Sequence, residues 1–307
     1  MRIISLSLTI ISLFSHVLFA EEQPLPNVYE PLKPSELITE FPRSTWLFLK
    51  SGVSAGVLPW LTIAGSSALF YAFDPALISS VQKKGKHFVN EDYLYIYPKS
   101  ERAKLIFLPK NLGGLFHFFG DKVIIIFSST GFLLTGSFSD SNKMQWTGIQ
   151  LLQGAVLASM STYLLKRSFG REEPYIKTSQ RGTFRPFRSY SEFKSNTIKY
   201  DALPSGHMTI ASVFWTVIRE NYPQYDSVLL PLQITTMSLL GLQMMNKGVH
   251  WASDYPLAIA IGYNAGKTVA RLGKKEPLDQ SDHQAENYNI YPVVTAEGLG
   301  TGIIFYL

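Results

Sequence analysis

Long apolar runs dominate the pattern of hydrophobic and polar positions along the chain. Their lengths predict helices rather than strands. Six runs follow the N-terminal segment, at residues 52–73, 123–138, 145–165, 207–218, 227–246 and 255–269. Three of the six reach the roughly 20 residues that a helix needs to cross a bilayer, and three are shorter. The pattern therefore predicts an all-α fold, a bundle of about six core helices that either spans a membrane or lies buried at its surface.

The N-terminus is patterned for export. A short basic start precedes an apolar stretch over residues 3–19, and Ala20 is followed by two glutamates. This layout predicts a signal peptide over residues 1–20, cleaved near Ala20. An uncleaved membrane anchor is the alternative, and either reading takes the chain out of the cytoplasm. Residues 21–50 are rich in Pro and Glu and predict an extended lead-in with at most one short helix.

The C-terminus changes pattern again. A charged linker precedes residues 288–307, where short alternating runs flank a Gly-rich turn. These runs predict two short strands. We therefore expect a helical domain over residues 51–272, followed by a linker and a small β appendage over residues 273–307.

Composition narrows the class of protein. The 307 residues are 46% hydrophobic and only 17% charged, with a net charge of +5, whereas soluble domains average about 25% charged residues. The absence of cysteine excludes disulfides, thiolate metal sites and cysteine nucleophiles. A weakly basic balance suits anionic ligands or membrane surfaces, without distinguishing them.

One long polar segment interrupts the apolar pattern. Residues 166–203 carry nine Lys or Arg against four acidic residues, which leaves a net charge of +5. Long loops within a domain are often functional. A basic solvated surface is the alternative reading.

Candidate chemistry begins at Pro204-Ser205-Gly206-His207. Ser205 fits the N-cap of a helix, whose first amides then lack intrahelical acceptors and can bind phosphate. Gly206 would let an anion approach the backbone, and His207 could exchange a proton near neutral pH. An ordinary capped helix with an incidental histidine is the alternative reading.

A second candidate is the pair His250 and Asp254. A carboxylate on one imidazole nitrogen fixes the tautomer and leaves the other nitrogen available as a nucleophile or base. Pro256, however, favours the first turn of a helix, so that His250 would lie before that helix and the two residues would not be simple helical neighbours. His-Asp pairs of this kind are also common as purely structural contacts.

The third candidate lies at the end of run 145–165. Lys166 and Arg171 could contact phosphate oxygens there, Lys as a point charge and Arg through a bidentate fork. Anchoring at a membrane interface or interaction with the helix dipole is the alternative.

Taken together and in this order, the three motifs resemble the type-2 phosphatidic acid phosphatase and vanadium haloperoxidase superfamily. The family pattern is Lys-x6-Arg-Pro, then Pro-Ser-Gly-His, then Ser-Arg-x5-His-x3-Asp. Lys166 and Pro174 match the first motif, Pro204 to His207 match the second in full, and the third is matched by His250-x3-Asp254. The resemblance covers about residues 145–270.

The chain departs from the family at two cation positions. The arginine of the first motif falls on Glu173, and the Ser-Arg pair falls on Gln243-Met244. Arg171 is two residues from the first gap and Lys247 three residues after the second. We therefore expect Arg171, and more weakly Lys247, to substitute for the missing arginines, with Glu173 pointing away onto basic residues of the loop.

The resemblance implies a bundle of the phosphatidic acid phosphatase kind and a mechanism. His250 would attack phosphorus, Asp254 would orient it, and His207 would protonate the leaving group. Phosphate would be held by Lys166, Arg171, Lys247 and the segment Ser205-Gly206. The implied activity is metal-independent hydrolysis of a phosphate monoester or pyrophosphate through a phosphohistidine, with no cofactor. A lipid-linked substrate is favoured, and soluble esters stay open. The other four histidines (His16, His87, His117 and His283) have no matching context and are interpreted as structural or incidental.

Two rivals remain. A degenerate relative that binds a phospho-group without hydrolysis, or that has a structural role, would explain Glu173 and Met244. A vanadate-dependent haloperoxidase is less favoured, because it must retain its anion between turnovers with two arginines missing. The expected partners are a phosphorylated lipid and the membrane, not nucleic acid, with the active site on the periplasmic face of the cell envelope. If the signal peptide is cleaved, the chain starts outside and an odd-numbered span ends in the cytoplasm, which is where run 145–165 would place Lys166. The number of spans therefore stays open.

Overall fold

The computed structural model describes residues 29–33, 35–86, 90–91, 93–95, 107–275, 287–295 and 298–306. The signal peptide expected at residues 1–20 lies outside them. The described helices are α1 (Glu36–Ser54), α2 (Val57–Lys84), α3 (Leu112–Phe118), α4 (Lys122–Phe138), α5 (Asn142–Phe169), α6 (Tyr190–Ser195), α7 (Gly206–Asn221), α8 (Asp226–Lys247) and α9 (Tyr255–Val269). The all-α bundle expected from the sequence is confirmed.

Strands are confined to two hairpins among the described residues. β1 (Tyr93–Tyr95) pairs antiparallel with β2 (Phe107–Pro109) between α2 and α3. A separate C-terminal unit, Lys275–Leu307, contains β3 (Asn287–Thr295) and β4 (Gly298–Tyr306), which pair antiparallel. The β appendage expected near the C-terminus is therefore present.

Five of the six apolar runs coincide with α4, α5, α7, α8 and α9. The first run, 52–73, instead straddles a break, because Gly56 adopts φ 77° and separates α1 from α2. α2 then continues past the run to Lys84.

The extended lead-in predicted for residues 21–50 is wrong where α1 begins at Glu36. Tertiary contacts account for the helix. Phe48 is buried in the main core, and Asn264 of α9 donates its Nδ2 hydrogen to the Phe48 carbonyl at 3.0 Å. Ser51 also contacts Asn264 at 2.6 Å. Helical stability in proteins comes mainly from packing of this kind, which local composition does not reveal.

The core lies among α5, α7 and α9, which pack against one another. Its buried side chains come from all three helices and include Trp146, Leu151, Leu157, Val213, Val217, Ala265 and Val269. Burying one such side chain stabilises the fold by about 1.5–3 kcal/mol. The three helices thus form a rigid frame, and both α7 and α9 begin at the same end of it.

Among the described helices, three are long and apolar enough to cross a membrane: α2, α5 and the segment Pro223–Lys247, which includes α8. α3 and α4 qualify together as a fourth only if they count as one span bent by 70°. Only 11% of the apolar window of α2 is buried within the protein. Large apolar side chains, including Leu61 and Leu69, are exposed along it. These helices indicate association with a membrane.

Candidate active site

Lys166 and the N-terminus of α7 meet at the end of the core frame. Ser205 caps α7, with its Oγ accepting a hydrogen bond from the Met208 amide at 3.4 Å. A Cβ placed on Gly206 would lie 3.8 Å from Lys166 Nζ. The lysine ammonium therefore sits directly beside the unpaired amides of the first turn, and both favour an anion.

The end of α5 fixes Lys166 in that position. Gly170 caps the helix in the left-handed conformation, φ 57°, and its amide donates to the Lys166 carbonyl at 2.8 Å. A side chain at Gly170 would collide with the Arg185 carbonyl. The chain therefore turns back sharply after α5, and the Arg185 amide donates to the Gly170 carbonyl at 2.8 Å.

His250 lies close to His207. The centroids of the two imidazole rings are 5.7 Å apart, although 43 positions separate the residues along the chain. His250 Nδ1 is 2.8 Å from the Ala202 carbonyl oxygen. Because a carbonyl only accepts, Nδ1 carries the hydrogen, which leaves Nε2 as the nitrogen with a lone pair.

Asp254 does not hold His250 in the way expected. Its Oδ2 is 3.9 Å from His250 Nδ1, beyond hydrogen-bond range. Oδ2 instead accepts from the Trp251 amide at 2.7 Å. A 3-10 turn over Ala252–Asp254 precedes α9, so the two residues are not neighbours on one helix. Asp254 thus shapes the turn that carries His250, while Ala202 fixes the tautomer.

Arg171 corrects a second expectation. All five of its N–H donors are occupied, by Asp254, Asp74, Ser253 and, twice, the Arg181 carbonyl. The side chain is 1% exposed. Arg171 therefore has no donor left for phosphate and does not substitute for the arginine missing at Glu173. It instead links α2, through Asp74, to the turn that carries His250.

Glu173 does not point away from the site. It is buried beside Asp201, and Lys166 Nζ lies 3.5 Å from Asp201 Oδ2. Burial, repulsion from Asp201 and a hydrogen bond that Glu173 donates to Asp201 together raise the pKa of Glu173 to about 9. A carboxyl with that pKa is neutral at pH 7 and donates a hydrogen bond, which removes the expected repulsion of an anion.

Lys247 is turned toward Glu91 rather than toward the gap at Met244. Its Nζ lies 2.7 Å from Glu91 Oε2, and Gln243 Nε2 approaches Oε1 of the same carboxylate at 3.3 Å. Met244 is fully buried in an apolar cluster with Met208. The position of the second missing arginine is therefore filled by core packing, and Lys247 is at most an indirect contributor to anion binding.

His117, interpreted from the sequence as structural or incidental, contacts His207. The Nε2 atoms of the two rings are 2.8 Å apart, and His117 Nδ1 is 2.7 Å from Glu91 Oε2. The flanking sequence Phe116-His117-Phe118 gives no spacing that marks a site. Asp74 was equally hidden, as a single carboxylate at the end of an apolar run.

His117, Asp121 and His207 are the described residues whose side chains approach one another closely enough to consider a metal ion. Two nitrogen ligands at 2.0–2.1 Å around tetrahedral zinc would be about 3.3 Å apart. The 2.8 Å between the two Nε2 atoms is instead a hydrogen-bond distance. The geometry describes a pair of hydrogen-bonded imidazoles.

Burial sets the protonation of the central groups. Desolvation lowers the pKa of both His207 and His250 well below the usual value, and Lys166 adds to this shift at both. Both rings are therefore neutral at pH 7, as a nucleophile or general base requires. Desolvation also raises the pKa of Asp254 to about 7, against the opposing effects of Arg171 and the Trp251 amide.

A comparison with known protein families gives one match. Residues 147–277 match the model of the PAP2 superfamily, and the matched range includes all three motifs. No curated protein and no solved structure matches the chain.

Proposed function

The chain belongs to the PAP2 superfamily, and from its site geometry we propose that it is a phosphoric ester hydrolase that acts through a phosphohistidine on His250. The observation that carries the proposal is the arrangement of two neutral imidazoles, with centroids 5.7 Å apart. The hydrogen bond between His250 Nδ1 and Ala202 leaves the other nitrogen of His250 for attack on phosphorus.

His207 supplies the acid and base steps of the proposed reaction. In the first step His207 is protonated on Nδ1 in the complex with the anionic substrate, whose charge favours the imidazolium. His250 Nε2 then forms a bond to phosphorus, the ester P–O bond breaks, and His207 gives its Nδ1 proton to the departing alkoxide. In the second step His207 takes a proton from water, which displaces the phosphoryl group from His250. General acid–base catalysis of this kind contributes about 10²- to 10⁴-fold.

Lys166 and the first amides of α7 would hold the charge that develops on the phosphoryl oxygens. We call this set of donors the phosphate cage. The family-motif residues that would form it are Lys166, Ser205, Gly206 and His207. The proposed reaction needs no metal ion and no cofactor.

The position of the site supports a lipid-linked substrate. α5 ends three residues after Lys166, and the apolar segment Pro223–Lys247 ends at Lys247. Two candidate spans therefore finish beside the site, while α7 begins there. A site at the ends of spans lies at the level of lipid headgroups, where the phosphate of a lipid monoester or pyrophosphate would be found. We propose that this face is the exported, periplasmic one.

The test is phosphate release from phosphatidic acid, undecaprenyl pyrophosphate and p-nitrophenyl phosphate, in detergent and EDTA. We expect activity in the wild type and none in His250→Ala. His283→Ala, a change at a histidine outside the range that matches the family model, serves as the matched control. The phosphohistidine can be detected as an acid-labile phosphoryl group on the protein. This group should be absent from His250→Ala and present in the control.

A degenerate relative that binds a phospho-group without hydrolysing it is the second candidate. Arg171 is bound to Asp254 and Met244 lies in an apolar cluster, so Lys166 is the one motif cation that can contact phosphate directly. This second candidate predicts that phosphate or vanadate binds the wild type in calorimetry while none of the three esters is hydrolysed. Hydrolysis of any ester that depends on His250 would exclude it.

A further inference from the structure

The Nε2 atoms of His117 and His207 are 2.8 Å apart, and His117 Nδ1 is 2.7 Å from Glu91 Oε2. The three side chains form a continuous hydrogen-bonded chain from a carboxylate to the proposed acid–base residue. None of the three family motifs contains Glu91 or His117. On the basis of the proposed function, we propose that His117 is a positioning residue that fixes the tautomer of His207 and stabilises its protonated form through Glu91.

The direction of each hydrogen bond follows from Glu91. This carboxylate pairs with Lys247 at 2.7 Å and is an acceptor, so His117 carries its hydrogen on Nδ1. The Nε2 of neutral His117 is then an acceptor, and His207 must donate to it from its own Nε2. His207 Nδ1, which is buried and has no hydrogen-bond partner among the described residues, is left to exchange protons with substrate.

The chain also matters when His207 is charged. As His207 takes up a second proton on Nδ1, its Nε2–H bond to His117 becomes a charge-assisted one and strengthens. The Glu91 carboxylate at the far end of the chain offsets part of the new positive charge. A carboxylate acts in this way on the histidine of a serine-protease triad, and here a second imidazole extends the connection.

The fold holds His117 in place by local means. Asn111 caps α3, with its side chain accepting from the Gly114 amide at 2.8 Å. The turn between α3 and α4 then packs on the first turn of α7, where a Cβ added at Gly120 would lie 2.8 Å from the Cβ of His207. This close approach sets the separation of the two rings.

Charged and titratable groups surround His207 from several elements. His117 comes from α3, Lys166 from α5, Lys247 from α8, and His250 from the turn before α9. The two lysines disfavour a positive charge on His207. Glu91 is the carboxylate that the described contacts connect to it, so breaking the chain at His117 should make the imidazolium harder to form.

Three substitutions at His117 separate the chemistry from packing. His117→Gln places a side-chain oxygen near the former Nε2 and can still accept from His207. His117→Asn places its oxygen near the former Nδ1 and cannot reach His207. His117→Phe keeps the ring volume and loses both hydrogen bonds. If the hydrogen bond matters, the Gln variant retains more activity than the Asn and Phe variants.

The substrates used are phosphatidic acid and p-nitrophenyl phosphate in mixed detergent micelles. An alkoxide needs a proton to leave, whereas p-nitrophenolate leaves without one. The rate of phosphohistidine formation, followed as release of the leaving group in a single turnover, excludes the second step, which is common to both esters. We expect His117→Phe to lower this rate for phosphatidic acid by about 100-fold or more. For p-nitrophenyl phosphate the rate should fall less than about fivefold, because its leaving group needs no proton from His207. The alkaline limb of kcat for phosphatidic acid should move to lower pH, because the protonated form of His207 is less stable.

Equal losses on the two esters, with unmoved pH limbs, would show that His117 has only a structural role and would overturn the inference. Full activity in His117→Phe would overturn it as well. If the wild type hydrolyses neither ester, the proposed function and this inference fail together. If the wild type hydrolyses both and the leaving-group dependence is absent, the inference alone fails.

Discussion

Arg171 and Asp254 form a buried ion pair in which Arg171 Nη1 lies 2.5 Å from Asp254 Oδ1. A second carboxylate, that of Asp74 in α2, accepts from Nη2 of the same guanidinium at 2.7 Å. Ser253 bridges Asp74 and Arg171. Its hydroxyl donates to Asp74 at 2.6 Å and accepts from Arg171 at 2.7 Å. This cluster of four residues, fully withdrawn from solvent, holds the turn that presents His250.

Arg171→Met should unfold the protein more readily, because it leaves two buried carboxylates without their shared cation. Removing one partner of a buried pair costs about 3–5 kcal/mol. Thermal denaturation in detergent would show the loss. Arg188→Met is the control: its pair with Glu192 is exposed and worth about 0–1 kcal/mol. Equal melting temperatures for the two variants would contradict the structural role of Arg171.

Arg171→Lys should recover little of that stability. A single ammonium cannot replace a planar fork that reaches Asp254, Asp74 and the Arg181 carbonyl at once. Activity per folded molecule separates this role from direct anion binding. If Arg171→Lys is as stable as the wild type but has lost turnover, Arg171 contacts the substrate after all.

Glu173→Gln should stabilise the protein at alkaline pH. The pKa of Glu173 is raised to about 9 in the folded state, from 4.5. Between those values the unfolded chain has released a proton that the folded chain keeps, so wild-type stability falls as pH rises from about 4.5 to 9. The amide cannot ionise, and its melting temperature should exceed that of the wild type at pH 8.5 but match it near pH 4.

The two buried histidines also make stability depend on pH, but they do so equally in both proteins and cancel in the comparison. Asp254→Asn is unsuitable as a control, because Asp254 binds Arg171. Glu192→Gln, at an exposed position, provides one. A difference between wild type and Glu173→Gln that is the same at pH 4 and pH 8.5 would show that Glu173 is not buried as a neutral acid.

The sequence predicts the bundle because long apolar runs have one main structural outcome. Run 227–246, for example, becomes α8 with one residue added at each end. The prediction from apolar runs fails at α1, where the apolar signal is weak and contacts with Asn264 decide the structure. The separation of α1 from α2 depends on one glycine conformation, which no period of hydrophobicity reports.

The site is predictable only as far as local motifs reach. His207 and His250 are found because their neighbours in sequence also shape the site. His117 and Asp74 contribute single side chains from distant helices, and nothing beside them in the sequence marks their partners. Arg171 was assigned the wrong role for a related reason: its position near a family arginine is visible in the sequence, whereas its five occupied donors are not.

Lys166→Ala and Lys247→Ala should differ in effect. Lys166 Nζ lies beside Gly206 at the start of α7, where a phosphoryl group would sit. Removing a donor to developing charge commonly lowers the rate by about 100- to 1,000-fold. Lys247 is paired with Glu91 and should reach the anion only indirectly. We expect its loss to cost less than about tenfold, by comparison with a direct donor.

The measurement is kcat/KM for one ester hydrolysed by the wild type, at fixed pH and ionic strength. Lys194→Ala, an exposed change in α6, controls for the general loss of positive charge. A larger loss for Lys247→Ala than for Lys166→Ala would reverse the two assignments. It would also show that Lys247 leaves Glu91 when substrate binds.

The membrane arrangement can be tested with introduced cysteines, because the natural chain has none. Leu69 lies near the middle of α2 and is 45% exposed on the protein surface. If α2 spans the bilayer, a cysteine in place of Leu69 meets lipid rather than water, and a water-soluble maleimide should label it only after denaturation in SDS. Lys194→Cys, in α6 between the end of α5 and the start of α7, should be labelled without denaturation from the exported side of intact membranes. Labelling of the Leu69→Cys protein in native membranes would show that α2 is not embedded in lipid. Labelling of the Lys194→Cys protein only in inverted vesicles would place the site on the cytoplasmic face and so contradict the proposed orientation.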